Sequence, residues 1–217
     1  MEILFVEDQP LISEPTAQKL KFNALVGQIE IARDAATALR LIKAFPEKWD
    51  LILLDLDVPG AIGLSLAMEI AALDKAGITC IITGNSRHDY VAQARAHGFL
   101  GYILKTSEVQ VLDATLGKIL AGESVFPETP EGASGDVIRL TALQKEKLLL
   151  MAEGLNTKQI ARKLKVHPST VSYHLDSAFK ALGVKSRVQA VHKAAQLGLI
   201  NLNFPIADIE GEGDEEE

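Results

Sequence analysis

The first 121 residues alternate short apolar runs with longer amphipathic stretches, and this alternation constrains the fold of the chain more than any other feature. Apolar strands separated by helices form parallel sheets that are covered on both faces. The pattern therefore predicts an α/β domain with a five-stranded, doubly wound parallel sheet. The predicted strands are 3–6, 26–32, 51–54, 78–83 and 100–104.

Helices are predicted between these strands, at 11–24, 34–45, 61–75, 86–97 and 107–121. We expect Pro15 in or near the first turn of its helix, where a missing N–H costs least. Asp34 is a plausible N-cap for the second helix, because its carboxylate can accept from free backbone N–H groups.

The second half of the chain has a different composition. Residues 122–138 carry prolines and glycines with few large apolar side chains, which indicates a linker. Residues 139–204 are predicted to form an all-α domain of four helices. Residues 205–217, rich in Gly, Asp and Glu, are predicted to be an acidic disordered tail. The predicted helices are 141–153, 157–164, 168–182 and 186–198.

The net charge of −7 hides a strong asymmetry. Residues 139–207 hold 11 Lys and Arg against three acidic residues, a net charge of +8, whereas the last ten residues hold seven acids. A basic segment within an acidic chain is typical of a module that binds a polyanion.

Carboxylates come at the ends of two predicted strands, Glu7 and Asp8 after the first and Asp55 after the third. In a parallel sheet with these strands adjacent, the three acids meet at one edge, and an all-oxygen site of this kind suits Mg²⁺. Thr83 and Lys105 end the next two strands. A hydroxyl and an ammonium beside a metal-bound carboxylate serve phosphoryl transfer, with Asp55 as the nucleophile.

These residues lie in stretches that resemble response-regulator receiver domains. The stretches are ILFVEDQ (3–9), DLILLDLDVPG (50–60), Gly63, ITG (82–84) and GYILK (101–105). The resemblance covers residues 1–121 and implies a flavodoxin-like receiver that a sensor histidine kinase phosphorylates.

The resemblance also assigns roles within the site. It implies that Glu7 and Asp8 hold the metal, that Asp55 is the phospho-acceptor, and that Asp57 lends its backbone carbonyl to the metal. Thr83 and Lys105 would grip the phosphoryl group, and Thr83 and Tyr102 would form the switch. A half-buried structural tyrosine is the other interpretation of Tyr102. The chain departs from the commonest pattern in having Glu at position 7 and an extra acid at position 57.

A rival interpretation uses the same acids. The run from Asp55 to Val58 is similar to the DxDx[TV] motif of haloacid-dehalogenase-like phosphatases, in which the second Asp is a general acid. That family has the motif near the N-terminus and its metal-binding acids after the lysine. Here an acid pair precedes the motif and nothing matching follows Lys105, which favours the receiver.

The predicted helix from Pro168 has one apolar face and one face of Ser, Tyr and Asp. It follows a short helix and a tight turn, which is helix-turn-helix geometry. Residues 140–191 resemble the LuxR-type helix-turn-helix, most clearly in AEGLNTKQIA, STVSYHL and LGVKSR.

With the receiver in front, the chain resembles the NarL/FixJ class of response regulators. The resemblance implies contacts with double-stranded DNA in two groups. Ser172, Tyr173 and Asp176 would face the major groove. The expected phosphate contacts are Lys158, Ser169, Thr170, Lys180, Lys185 and Arg187.

We therefore expect a transcription factor whose phosphorylation switches dimerisation and DNA binding, with a homodimer as the active form and RNA polymerase as a further partner. It would be no enzyme beyond its own aspartyl phosphorylation and dephosphorylation. The alternative is a DNA-binding regulator with a phosphorylation-independent receiver. No apolar run is long enough to span a membrane, so we expect a cytoplasmic protein with no membrane contact.

Overall fold

The computed structural model describes residues 1–105, 109–128 and 137–202, and for residues 109–114 only the backbone. The N-terminal half is a parallel sheet with strand order β2, β1, β3, β4, β5. Its strands are β1 (Glu2–Val6), β2 (Gln28–Ala32), β3 (Leu51–Leu54), β4 (Thr79–Thr83) and β5 (Gly101–Leu104). The helices on its faces are α1 (Pro10–Leu20), α2 (Ala35–Ala44), α3 (Ser65–Ala72), α4 (His88–Ala96) and α5 (Val109–Leu120). The predicted five-stranded α/β fold is confirmed.

The register of the sheet brings the ends of β1 and β3 together. Val6 is paired with Leu54, and the Asp55 N–H donates to the Val6 carbonyl at 2.9 Å. On the other side of β3, Thr83 is paired with Leu104 at the ends of β4 and β5. Because parallel strands all end at the same edge, the residues that follow them share one crevice.

Helices α1 and α3 differ most from their predicted bounds of 11–24 and 61–75, and both end earlier than predicted, at Leu20 and Ala72. Helix α1 begins at Pro10, which takes the first position, so that Pro15 lies inside the helix rather than in its first turn. The exposed side of α1 tolerates this, because solvent can reach the carbonyl that Pro15 leaves without a donor. Helix α3 begins only at Ser65, since Gly63 has φ +54° and interrupts the helical path.

The C-terminal half is all-α, as predicted. Its helices are α6 (Ala142–Ala152), α7 (Thr157–Leu164), α8 (Pro168–Leu182) and α9 (Arg187–Gln196). Capping boxes at Thr141/Gln144 and Asn156/Gln159 fix the starts of α6 and α7. Gly183, at φ +66°, ends α8.

The two halves touch through the end of α9. The Leu64 N–H donates to the Gln196 carbonyl at 2.7 Å, and an Arg87 guanidinium N–H donates to Gln196 Oε1 at 3.0 Å. Asn201 donates to Glu69 at 2.7 Å. The contact therefore uses α3, the start of α4 and the end of α9, and it leaves the outer side of α8 exposed.

Within the described ranges, no helix combines the length and the apolarity needed to cross a membrane.

Candidate functional site

The three predicted carboxylates do converge. One oxygen each from Glu7, Asp8 and Asp55 lies within 4.8 Å of the others. Glu7 and Asp55 are buried, at 0% and 1% exposure. We call these three residues together with Lys105 the acidic pocket.

Lys105 connects two of the acids. Its Nζ donates to Glu7 Oε2 at 2.7 Å and to Asp55 Oδ2 at 2.8 Å. The backbone positions it, because the Lys105 N–H donates to the Thr83 carbonyl at 2.8 Å and extends the pairing of β5 with β4. The lysine therefore reaches the acidic pocket from a different strand than either carboxylate.

The charges of the acidic pocket shift the pKa values of their neighbours. Burial raises the pKa of the Glu7 carboxyl above its ordinary value, and the hydrogen bond from Lys105 only partly offsets this. Burial alone would lower the pKa of the Lys105 ammonium, but its hydrogen bonds to Asp55 and Glu7 raise it above its ordinary value. Lys105 is thus held as a cation.

One carboxylate oxygen of the acidic pocket has no partner among the described residues. Asp8 Oδ1 is buried and accepts no hydrogen bond. A buried carboxylate oxygen without a donor is costly. One ammonium cannot neutralise three acids, so the donor set of the acidic pocket fits a divalent cation.

The proposed switch residues lie beside this pocket. Thr83 is fully buried, and its Oγ1 accepts from the Asn85 N–H at 3.2 Å. Tyr102 is also buried, and its hydroxyl donates to the Asn85 carbonyl at 2.7 Å. Burial raises the pKa of the Tyr102 phenol well above its usual range, so it remains a donor. Tyr102 is therefore a buried side chain facing the β4–α4 loop, rather than a half-buried one.

Sequence reasoning missed Asn85 and Arg87. Asn85 connects Thr83 with Tyr102, and its Oδ1 accepts from the Arg87 N–H at 3.1 Å. Arg87 in turn contacts Gln196 of the C-terminal half. The available signal was a polar loop directly after the carboxyl end of a buried strand. Asp57, by contrast, was predicted, and its side chain is exposed.

The C-terminal half places all of the predicted DNA contacts on the surface. The apolar face of α8, formed by Val171, Leu175, Ala178 and Leu182, is buried. Its opposite face is exposed, including Tyr173 at 71%. The exposed predicted contacts are Lys158, Ser169, Thr170, Ser172, Tyr173, Asp176, Lys180, Lys185 and Arg187. We call the exposed Ser169, Ser172, Tyr173 and Asp176 the reading face.

Two features near the reading face were not predicted. Arg162 and Lys165 join Lys158 around a cavity of about 350 Å³ beside the start of α8, which adds positive charge there. Arg187 donates to the Leu155 carbonyl at 2.6 Å, so part of its guanidinium is already engaged within the domain.

Comparisons with known proteins agree with both halves. The family described as "Response regulator receiver domain" matches residues 3–117, and "Bacterial regulatory proteins, luxR family" matches residues 139–194.

Whole-chain relatives have the same organisation. The chain is 30% identical over 200 residues to the nitrate/nitrite response regulator protein NarL of Escherichia coli (strain K12), which covers 87% of this chain and 92% of NarL. It is 29% identical to the transcriptional regulatory protein DesR of Bacillus subtilis (strain 168), over 91% of this chain and 98% of DesR.

A solved structure supports the fold. RcsB from Salmonella enterica serovar Typhimurium, bound to promoter P1flhDC in the presence of phosphomimetic BeF₃⁻, is 23% identical with a TM-score of 0.56, over 91% of this chain and 98% of that chain. The chain therefore belongs to the NarL/FixJ-class response regulators, transcription factors that join a receiver domain to a LuxR-type DNA-binding domain.

Proposed function

We propose that Asp55 accepts a phosphoryl group from a sensor histidine kinase and that this modification switches dimerisation and DNA binding. The observation that carries the proposal is the acidic pocket, in which one lysine bridges Asp55 to Glu7 while a buried Asp8 oxygen has no hydrogen-bond partner within residues 1–105, 109–128 and 137–202. This arrangement supplies a nucleophile, a cation and an unsatisfied ligand atom side by side.

The unsatisfied oxygen supports Mg²⁺ as the cofactor. Glu7, Asp8 and Asp55 would hold it together with the backbone carbonyl of Asp57, since hard oxygen ligands suit this ion. When bound, the ion supplies positive charge that neutralises the oxygens of the transferring group.

The chain's own residues account for the remaining requirements of the reaction. An oxygen of the ionised Asp55 attacks phosphorus, and the bond from phosphorus to the donor breaks. Lys105, a cation 2.8 Å from that carboxylate, offsets the negative charge that the phosphoryl oxygens bring. Thr83 would donate its hydroxyl to the same group, and a shift of its Oγ1 in that direction would act on the Asn85 N–H, from which Oγ1 accepts at 3.2 Å.

We further propose that the exposed basic and polar residues of α7, α8 and α9 contact DNA. Ser172, Tyr173 and Asp176 would read the major groove. Exposure of the whole reading face and the charge of +8 over residues 139–207 support this. The proposed phosphate contacts are Lys158, Ser169, Thr170, Lys180, Lys185 and Arg187.

The proposed domain bounds are 1–121 for the receiver, 122–138 for the linker and 139–204 for the DNA-binding domain. The proposed acidic tail, 205–217, lies outside the described residues. We place the protein in the cytoplasm, with a homodimer as its DNA-bound form and RNA polymerase as a further partner.

The contact between the halves supports a switch. Thr83, Asn85, Arg87 and Gln196 form a continuous chain of contacts from the acidic pocket to the end of α9. A shift of Thr83 towards a phosphoryl group would therefore change the contacts between the receiver and the end of α9.

Incubation with acetyl phosphate and Mg²⁺ tests the proposal. We expect an adduct of about 80 Da, the mass of an HPO₃ group, in the wild type and none in Asp55→Ala. DNA binding should tighten only in the wild type. No adduct with unchanged DNA binding would indicate a phosphorylation-independent receiver, and turnover of a phosphate ester would indicate a phosphatase.

A further inference from the structure

Residues 124–126, which follow the receiver's last helix, lie along the free edge of β5, and we call them the strap. Val125 forms a parallel bridge with Gly101, and the Tyr102 N–H donates to the Val125 carbonyl at 2.7 Å. The Ser124 hydroxyl donates to the Leu100 carbonyl at 2.8 Å. The strap thus occupies an edge that would otherwise present unpaired backbone groups.

Helix α4 fastens the chain on both sides of the undescribed stretch 129–136. The Arg95 guanidinium lies over the Phe126 ring, 4.4 Å from its centroid. Gln93, which is fully buried, donates from Nε2 to the Ile138 carbonyl at 3.0 Å. The segment that leaves the receiver and the segment that enters the DNA-binding domain therefore both rest on α4.

The strap meets the switch at Tyr102. The hydroxyl of this residue is bonded to the Asn85 carbonyl before α4, and its backbone N–H is bonded to the strap. Packing here is close, because a Cβ on Gly101 would come within 2.8 Å of the Val125 carbonyl oxygen. A displacement of the Tyr102 backbone, or of α4 with Arg95, would therefore move the groups that hold the strap.

We propose that the strap is a catch: it holds the start of the linker against β5 and α4 while Asp55 is unphosphorylated, and phosphorylation loosens it. The inference rests on the proposed function of Asp55. Thr83 and Tyr102 both bond to Asn85, so drawing Thr83 towards a phosphoryl group disturbs the residue that anchors Tyr102 and precedes α4.

The contacts of the strap allow it to open locally. Among the described residues, the strap is held by one backbone bridge, one hydroxyl bond, one cation–π contact and the packing of the half-buried Val125 and Phe126 against the hydrophobic clusters. It pairs with the sheet on one side only, whereas the interior strands pair on both sides. Segments that pair along one edge only open locally at a lower free energy than the global free energy of unfolding. Release would detach residues 124–126 from the receiver and let the DNA-binding domain reach a second copy.

Amide hydrogen exchange at Tyr102 in the full chain, followed by NMR, tests the catch, with BeF₃⁻ and Mg²⁺ as the probe of the phosphorylated state. We expect slow exchange without BeF₃⁻, because the hydrogen bond to the Val125 carbonyl protects the Tyr102 amide. With BeF₃⁻ the strap is released more often, and exchange should be about tenfold faster. The Leu53 amide, in the central strand β3, should keep its rate and serves as the internal control.

A variant pair tests the fastening without depending on Asp55. Phe126→Ala removes the ring under Arg95 and its packing against the core, and it should raise Tyr102 exchange at least about two- to fivefold without BeF₃⁻, the range expected from the cation–π contact alone. Phe22→Ala, at a phenylalanine that is 90% exposed, should leave it unchanged.

The outcomes separate the two proposals. If acetyl phosphate modifies Asp55 but BeF₃⁻ leaves Tyr102 exchange slow, the catch is overturned and the proposed function stands. Equal exchange in Phe126→Ala and Phe22→Ala also overturns the catch. If Asp55 forms no adduct, the proposed function fails and release by phosphorylation fails with it.

Discussion

The acidic pocket collects its side chains from the ends of three strands, β1, β3 and β5, whereas the reading face comes from a single helix. Glu7 and Lys105 are 98 residues apart in the chain and 2.7 Å apart in space. Ser169 and Asp176 are two turns apart on α8. In the acidic pocket Glu7 and Asp55 are buried and Asp8 and Lys105 are half-buried, whereas the reading face is exposed.

This difference sets how each region responds to change. A buried charged cluster depends on every member, because removing one leaves the others unpaired in a poorly solvated place. An exposed face of independent contacts loses one contact at a time. The predictions below test this contrast, beginning with the largest effect.

Lys105→Met should lower the rate of Asp55 phosphorylation by acetyl phosphate by about 100- to 1,000-fold, the usual effect of removing one charge-stabilising group. The measurement is the rate of adduct formation by intact mass. Lys118→Met, at an exposed lysine of α5, is the matched control. A loss of less than about threefold in Lys105→Met would contradict a charge-dependent pocket.

Lys185→Ala should weaken DNA binding several-fold at any sequence and reduce the slope of log affinity against log salt by about one unit. Titrations at several salt concentrations measure the slope. Lys43→Ala, on an exposed part of the receiver, should change neither value. An unchanged slope would show that Lys185 does not contact a phosphate.

The helix caps of the two halves should respond differently to pH. Asp34 accepts from the Thr37 N–H at 2.7 Å, and this backbone hydrogen bond lowers the pKa of Asp34 below its ordinary value of 3.8. Asn156 caps α7 without a charge. Each substitution by Ala should cost about 1 kcal/mol of unfolding free energy at pH 7.

Only the Asp34 contribution should depend on pH. Its folded pKa is lowered, so the ionised cap stabilises the protein at pH values above 3.8, and this stability is lost as the pH falls through the lowered value. Urea unfolding at neutral and acidic pH measures both variants. If acidification reduced the destabilisation caused by Asp34→Ala and by Asn156→Ala to the same extent, the ionic cap would be contradicted.

The smallest effect is expected at the C-terminus. Removing residues 208–217 should change DNA affinity less than about twofold near physiological salt, where dissolved ions screen the charge of the seven acids. A large gain in affinity at low salt would instead indicate that the seven acids compete with DNA for the basic helices.

The two regions also differed in how far the sequence predicted them. The bounds of α7 and α8 agreed with the predictions, because the capping residue Asn156, Pro168 and Gly183 are local signals. The convergence of Glu7, Asp8 and Asp55 was predictable once β1 and β3 were taken as neighbours. Asn85 was missed, since its bonds to Thr83 and Tyr102 depend on the path of one loop.

The strap shows the same limit more strongly. Prolines and glycines indicated a linker over 122–138, and nothing local indicated that Val125 would pair with β5. The interaction depends on the open edge of β5 and on Arg95 of α4, and neither belongs to the local sequence of the strap.

The sequence by itself determined the class of each half, because hydrophobic periodicity and capping residues act over a few positions. It also determined the chemistry available, since carboxylates, a lysine and a hydroxyl follow the strands. Only the tertiary structure decided which charged and polar groups are in contact. Lys105 bridges Glu7 and Asp55, and Gln196 contacts the receiver. Among the described residues, Asp8 keeps one buried oxygen without a hydrogen bond. The physical reason is that electrostatic and hydrogen-bond partners are set by distances of about 3 Å, which chain topology fixes and local sequence does not.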